Sequence, residues 1–414
     1  MHFDPGGSVA CSAAGKCRQN DSKFASGEAT RRSCRAGDKL WRQVGLFSFG
    51  RASRERQLAG DSFPRERDRA VTAATPISSK PVRVACLGFV FDRHAEAFIR
   101  HSTPAGFDLS FAEHPQDITD TMLAQSDVLI VTAPVTEEMM GKAPHLRLIQ
   151  KWGTGYDKID IRAAERRGIT VAITAGVNAD TIGEHALALM LATLRRIPLA
   201  DRAMREGRWI SGEIRPVGQR LYGKTVGIVG FGNIGRAVAR QLRGFDGEVL
   251  YSKRGGSVAQ ELSYGARFVP FDQLLARSDI VTLHCPGGGT NAGLIDSAAL
   301  ARMKPGATLI NVARGDLVVE ADLIAALRSG HLAGAGLDVF AQEPLQPGSA
   351  LREFDNVVLT PHSAGSLMED VPIMAGHAFR NITAFLRGEP LPARDLVVAP
   401  QSSPSPINRE GQEQ

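Results

Sequence analysis

The sequence has little cysteine, 5 in 414 residues, and no paired spacing among them. That excludes a disulfide scaffold. Long apolar runs are missing too. The longest, such as Ala186–Leu194, fall well short of the roughly 18–20 residues a helix needs to cross a bilayer, so no membrane partner is expected. Charge of one sign is absent from most of the chain. Residues 1–80 hold 15 Lys and Arg against 8 Asp and Glu, whereas residues 81–414 hold 34 against 36. The net charge of +5 therefore belongs to the N-terminal segment, and the near-neutral remainder offers no electrostatic footprint for nucleic acid. What these absences leave is a soluble, reduced, cytoplasmic globular protein of about two domains.

Residues 1–80 are rich in Arg, Ser and Gly, and their apolar residues are scattered without a persistent period. This predicts a disordered basic extension. Eight acidic residues argue against a transit peptide, and the lack of an apolar h-region argues against a signal peptide. Cys11, Cys17 and Cys34 lie in this segment at spacings that fit no zinc pattern, so no metal site is expected. The Pro/Ser-rich residues 399–414 predict a second disordered tail.

From Pro81 onward, short apolar runs alternate with helical patterns. Val82–Phe89, Val128–Thr132, Leu146–Gln150 and Thr170–Ile173 read as strands, and Asp180–Arg196 as a long helix that is apolar nearly all round. Such a helix has to be buried against another domain or subunit. A second rhythm places strands at Thr225–Val229, Glu248–Tyr251, Ile280–His284, Thr308–Asn311, Gly334–Asp338 and Val357–Leu359. Helical patterns at Ile234–Arg243, Phe271–Ala276 and Glu320–Ser329 fill the gaps, and a closing helix covers roughly Asp370–Arg387. Strand–helix alternation of this kind predicts an α/β fold with parallel sheets.

One strand runs straight into a glycine-rich turn. Val226–Val229 is followed by Gly230-Phe231-Gly232-Asn233-Ile234-Gly235 and then a helical pattern. In such a turn Gly230 permits the tight bend and Gly232 lets the backbone approach a pyrophosphate. Gly235 lets the helix pack close, with its first amides aimed at the phosphates. The carboxylate expected about 20 residues later, for a ribose 2′-hydroxyl, is missing. Ser252-Lys253-Arg254 stands there instead, and a small hydroxyl with two cations suits a 2′-phosphate. NADP(H) is therefore the expected cofactor, with NAD(H) the other candidate.

Three later segments each follow a strand: Asn311-Val312-Ala313-Arg314-Gly315, Asp338-Val339-Phe340-Ala341-Gln342-Glu343-Pro344 and Thr360-Pro361-His362-Ser363-Ala364-Gly365. Doubly wound sheets bind ligands at the carboxyl ends of their strands. Arg, Glu and His are the groups needed to hold a carboxylate and move a proton. By contrast, His185 and His284 read as structural. Cys285, beside Pro286, reads as a cofactor-lining residue, because nothing pairs it with a base.

Taken with the segment Lys151-Trp152-Gly153-Thr154-Gly155-Tyr156-Asp157, these motifs make residues 82–398 resemble the D-isomer-specific 2-hydroxyacid dehydrogenase family, in particular its glyoxylate and hydroxypyruvate reductases. The resemblance implies catalytic roles for Arg314, Glu343 and His362. Arg314 would fix the substrate carboxylate and carbonyl, His362 would be the general acid/base, and Glu343 its partner. Substrate binding would fall to Gly153, Thr154 and Gly155, through backbone amides, together with Arg314. Cofactor contacts would come from Thr154, the turn Gly230–Gly235, Ser252, Lys253, Arg254, Cys285, Val312, Ala313, Arg314, Asp338, His362 and Gly365.

The resemblance further implies two Rossmann-like doubly wound parallel-sheet domains. A flavodoxin-like substrate domain would span 81–180 and be completed by 369–398, and the dinucleotide-binding domain would span 181–368. The helix Asp180–Arg196 would link them and take part in a homodimer. Phe89–Arg93 and Trp152 are expected to shape the side-chain pocket for a small 2-oxo acid. Dehydrogenase-related corepressors can retain the same Arg–Glu–His set, so a regulator without turnover is the alternative. Formate-oxidising relatives carry Gln where this chain has Glu343, which disfavours that chemistry.

Overall fold

The computed structural model describes residues 80–399 apart from 89, 90 and 260. The two expected disordered tails lie outside the described residues, save for Lys80 and Ala399. The chain opens with β1 (Val82–Leu87), β2 (Phe107–Ala112), β3 (Val128–Val131), β4 (Leu148–Lys151) and β5 (Thr170–Ile173), all parallel, in the spatial order β2-β1-β3-β4-β5. A second parallel sheet contains β6 (Val226–Val229), β7 (Val249–Ser252), β8 (Arg267–Phe268), β9 (Ile280–Leu283), β10 (Ala307–Asn311), β11 (Leu332–Leu337) and β12 (Val357–Leu359). Its order is β12-β11-β10-β9-β6-β7-β8. The direction of winding reverses between β6 and β9, which is where such sheets open a crevice.

Both sheets are covered on both faces. Val-Leu-Ile-Val of β3 and Ile-Val-Thr-Leu of β9 are accordingly buried at every position rather than alternating. Ile130 and Leu129 point into separate apolar clusters on the two sides of the first sheet. Leu309 and Ile310 do the same in the second.

The helix Ala179–Leu194 packs on β10, β11 and the helix Asn233–Gln241. Gly183 lets the two helices approach, since a Cβ there would lie 2.7 Å from Gln241 Oε1. Gly183, Ala186, Leu189, Met190 and Leu194 form the buried face of Ala179–Leu194, while Leu187 and Leu191 are only partly buried and Ala188 is exposed. This helix ends two residues before Arg196, which takes a left-handed conformation (φ 55°) and donates to Ala333 O at 2.7 Å.

The closing helix Val371–Leu386 returns to the first sheet, where Phe379, Ile382 and Phe385 join Val84 and Leu148 in one core. After it, β13 (Leu396–Val398) pairs antiparallel with β5. Asp395 fixes this return: its carboxylate lies 2.7 Å from His377 Nε2 and accepts from Ala175 N at 3.2 Å.

Four expectations need correction. The first sheet is not wholly parallel, because β13 runs against it. The strands β2, β8 and β13 add to those the pattern predicts. β1 ends at Leu87, before Phe89. Within Phe89–Arg93, Phe91 is a core residue packed edge-on against Trp152 and Asp92 caps the helix Arg93–Ser102, so neither is free to shape a pocket; Phe89 and Val90 lie outside the described residues.

Candidate active site

The glycine-rich turn leaves β6 at the point where the winding reverses. Gly230 has φ +96°, and a Cβ there would come within 2.6 Å of the His284 and Cys285 backbone at the end of β9. A Cβ at Gly235 would meet Gly230 O at 2.2 Å. Neither position tolerates a side chain. Gly232 differs, because a Cβ there would meet nothing within 4 Å. The chain itself does not require glycine at this point, and a molecule lying against the turn would. The helix Asn233–Gln241 begins there, with Arg236 N the first amide bonded back into the turn. The amides of Asn233, Ile234 and Gly235 are thus left for an anion. These features fit the pyrophosphate of a dinucleotide.

At the end of β7, Ser252 is buried, Lys253 half-buried and Arg254 exposed. Arg254 reaches over the loop after β9 and donates from Nη1 to Thr290 Oγ1 at 3.1 Å. Cys285 lies nearby. Burial pushes its thiol up to about 11, against the opposing pull of its own amide and of the Arg254 charge, so it stays protonated and is a poor nucleophile. His284 is brought down to about 3 by burial and stays neutral, with Nε2 2.8 Å from Thr282 Oγ1.

The three later loops hold one another. Asn311, buried at the end of β10, donates from Nδ2 to Arg314 O (2.8 Å) and accepts from Ala313 N (3.0 Å), which shapes the turn that presents Arg314. Gly315 lies so close to the Phe340 carbonyl that a Cβ would come within 1.9 Å of its oxygen. From the same loop as Phe340, Glu343 Oε2 reaches His362 Nδ1 at 2.9 Å, while its Oε1 accepts from Phe340 N at 3.3 Å. Burial pushes the Glu343 carboxyl up, but the hydrogen bond to His362, the His362 charge and the Phe340 amide outweigh it and hold the group below the usual carboxylate range.

His362 itself sits at φ 52°, a strained conformation for a non-glycine residue. Asp338, fully buried, is what retains it. Its carbonyl accepts from His362 N at 2.8 Å, and its carboxylate accepts from Thr360 Oγ1 (2.6 Å), Ser363 N (2.9 Å) and Ala364 N (3.0 Å). Burial raises the Asp338 carboxyl, and the His185, Thr360, Ser363 and Ala364 hydrogen bonds more than reverse that. His185 Nε2 lies 3.0 Å from Thr360 Oγ1 and 3.4 Å from Asp338 Oδ1. It is thus structural, as its sequence context implies, but it supports the loop of the acid/base candidate. The Asp338 carboxylate thus holds the loop of His362, with Oδ2 accepting only from Ala364 N.

The loop after β4 meets Arg314 from the other sheet. Gly153 N donates to Thr174 Oγ1 at 2.7 Å, which removes it from the expected set of anion-binding amides. Thr154 and Gly155 retain theirs, with no acceptor for either among the described residues. Arg314 lies over Gly155 and binds Asp157 through Nε and Nη2, each 2.9 Å from Oδ1. Asp157 was not assigned from the sequence. Nor was Lys151, whose Nζ donates to Trp152 O at 2.8 Å; burial, assisted by the Arg314 charge, brings its ammonium down to about 8. Val312 is buried, and Ala313 half-buried. Gly365 packs against Asn178, and Gly176 against Asn233, where the two sheets' loops meet. No cluster of three or more potential metal ligands occurs among the described residues.

Two α/β sheets, parallel but for β13, frame the site, and Arg314, Glu343 and His362 lie on the loops after β10, β11 and β12 of the second. Residues 187–364 match the model of the D-isomer specific 2-hydroxyacid dehydrogenase NAD-binding domain. The chain is 42% identical to a glyoxylate reductase of Korarchaeum cryptofilum over 63% of its own length and 80% of the relative's. Among solved structures it is similar to an NADPH-dependent glyoxylate/hydroxypyruvate reductase from Sinorhizobium meliloti in complex with NADP and malonate (31% identity, TM-score 0.66, 77% of this chain and 97% of that one). It is also similar to an NAD-dependent formate dehydrogenase from Staphylococcus aureus (28% identity, TM-score 0.68, 77% and 100%). The chain belongs to the D-isomer-specific 2-hydroxyacid dehydrogenase family, and it is an NAD(P)-dependent oxidoreductase.

Proposed function

We propose that the protein reduces a small 2-oxo acid of the glyoxylate or hydroxypyruvate type to the D-2-hydroxy acid, with NADPH preferred over NADH. The observation that carries the reading is the His362–Glu343 pair on a strained loop, joined through Phe340 and Gly315 to the loop of Arg314. When bound at Gly230–Gly235, the nicotinamide cofactor supplies the hydride for the carbonyl carbon. Arg314 and the amides of Thr154 and Gly155 hold the substrate carboxylate, which fixes its orientation. His362 donates the proton to the developing alkoxide, and Glu343 fixes the imidazole tautomer and favours its cationic, proton-donating form. Ser252, Lys253 and Arg254 take the adenosine 2′-phosphate, and Cys285, Val312, Ala313 and Gly365 line the cofactor.

In this reading residues 81–180 with 369–398 form the substrate domain, and 181–368 the dinucleotide domain. Glu343 separates this chain from formate-oxidising relatives, which carry Gln there. A screen of NADPH and NADH oxidation against about a dozen 2-oxo acids tests the proposal. Turnover of glyoxylate or hydroxypyruvate supports it, and a chain that binds NADPH but turns over no 2-oxo acid refutes it in favour of a regulator.

Glu343 governs the pH range of this chemistry. Because its carboxylate stays ionised beside His362, it stabilises the proton-donating form of the ring as pH rises. Glu343→Gln is therefore expected to move the alkaline limb of the reduction profile to lower pH. An unchanged limb would remove Glu343 from the proton path.

The protein is also proposed to act as a homodimer. Ile197, Met204, Trp209 and Tyr222, all on the segment after the helix Ala179–Leu194, are each more than half exposed, with Trp209 at 79%, and they are the apolar residues an association surface on this segment would cover. Light scattering should give twice the chain mass, and Trp209→Glu with Met204→Glu should reduce it; a monomeric wild type rejects the dimer.

A further inference from the structure

Arg314 is the group proposed to hold the substrate carboxylate, yet its guanidinium already has a carboxylate partner within the chain. The partner is Asp157, from the loop after β4, and the contact joins the strand ends of the two sheets. Both loops are anchored independently of it. Around Asp157, Ile159 N donates to Tyr156 O (2.9 Å), while Val135 N donates to Lys158 O and Asp160 N to Val135 O, both at 3.0 Å. Around Arg314, the Asn311 side chain closes the turn. Gly155 supplies the slot between them: a Cβ there would lie 1.4 Å from Arg314 Nη2.

The geometry points to Asp157 as a positioning residue that orients Arg314 across the cleft for the 2-oxo acid's carboxylate. A guanidinium has five N–H groups in a fixed planar fork. Here Nε and one Nη2 proton go to Asp157 Oδ1, and one Nη1 proton goes to Ala313 O at 2.6 Å. One N–H then remains on each terminal nitrogen, which is the pair a carboxylate takes side by side. Asp157 thus occupies the edge of Arg314 that the substrate does not need, and prevents the long side chain from rotating away. Without it, the guanidinium keeps its charge and loses its orientation. The cost should fall on substrate capture more than on turnover, because the Arg–carboxylate contact exists in both ground and transition states.

This inference rests on the reading of Arg314 as the carboxylate clamp, so the experiment separates the two. Steady-state reduction of glyoxylate with NADPH is measured for wild type, Asp157→Asn, Asp157→Glu, Arg314→Ala and the double variant Asp157→Asn/Arg314→Ala. Asp157→Asn is expected to raise KM for glyoxylate about tenfold, with kcat reduced less than threefold and KM for NADPH within twofold of wild type. Asp157→Glu should restore KM to within about threefold, since the charge returns at a slightly longer reach. In the Arg314→Ala background, loss of Asp157 should add less than twofold, because its only route to substrate has gone.

A KM within twofold of wild type for Asp157→Asn overturns the proposal, as does a tenfold penalty that persists without Arg314. If Arg314→Ala itself leaves KM for glyoxylate unchanged, the clamp reading fails instead. Asp157 is 38% exposed, so its variants should keep the fold, which melting temperature checks. Should Asp157→Asn unfold, Asp157→Ser takes its place: a KM for glyoxylate raised about tenfold upholds the role, and a KM within twofold of wild type rejects it.

Discussion

His362→Ala is expected to lower kcat by about 10²–10⁴-fold, the usual contribution of a positioned acid/base, while cofactor affinity barely changes. The separation follows from where the side chain lies. Its Nδ1 faces Glu343, which leaves Nε2 as the nitrogen able to meet substrate. The backbone that places it is held by Asp338 through contacts independent of the ring. Removing the imidazole therefore leaves the loop, the glycine-rich turn and Arg314 in place. Hydride supply and substrate orientation persist, and what disappears is the proton for the alkoxide. Single-turnover reduction followed at 340 nm, together with NADPH binding by fluorescence, measures both parts. A variant that keeps more than a tenth of the wild-type rate on its best substrate would show that another group donates the proton. A variant that loses NADPH binding as well would mean that the ring is structural.

Much of this site was legible because it is local. Gly230 and Gly235 are required by contacts within one strand–turn–helix unit, and Asn311 acts on a carbonyl three residues away. The periodicity of β3 or β9 reports burial on both faces without knowledge of the neighbours. What escaped depends on partners far apart in the chain. Asp157 is 157 residues from Arg314, and nothing around Tyr156-Asp157-Lys158 signals an ion pair. Gly153 reads as an anion donor in its motif, whereas Thr174, just after β5, takes its amide. Nothing in the motif around Asp338 signals that its carboxylate holds the loop of His362. β13 is three residues long and runs antiparallel, set by the return of the closing helix and by Asp395 rather than by its own pattern. Short edge strands carry too few residues for a period to declare itself.

NADPH is expected to be used about ten- to hundredfold more efficiently than NADH. A carboxylate at the end of β7 would bind the ribose diol and repel a 2′-phosphate, and Ser252 stands there instead. Two cations follow, and a charge-assisted hydrogen bond of that kind contributes roughly 1.5–3 kcal/mol. With 1.4 kcal/mol per factor of ten, one such bond gives the expected preference. Arg254 is the better placed of the two. Its Nη1 bond to Thr290 holds it over the loop after β9. The tether to Thr290 is a single neutral hydrogen bond at an exposed site, weaker than a bond to phosphate, so Arg254 can exchange one for the other or keep both. Salt provides a further check, since a phosphate contact at the rim weakens as ionic strength rises. Ser252→Asp combined with Arg254→Ala should reverse the ratio of kcat/KM values for the two cofactors while leaving KM for the 2-oxo acid near wild type. Equal efficiency with NADPH and NADH in the wild type, or no swing toward NADH in the double variant, would remove the 2′-phosphate from this corner of the site.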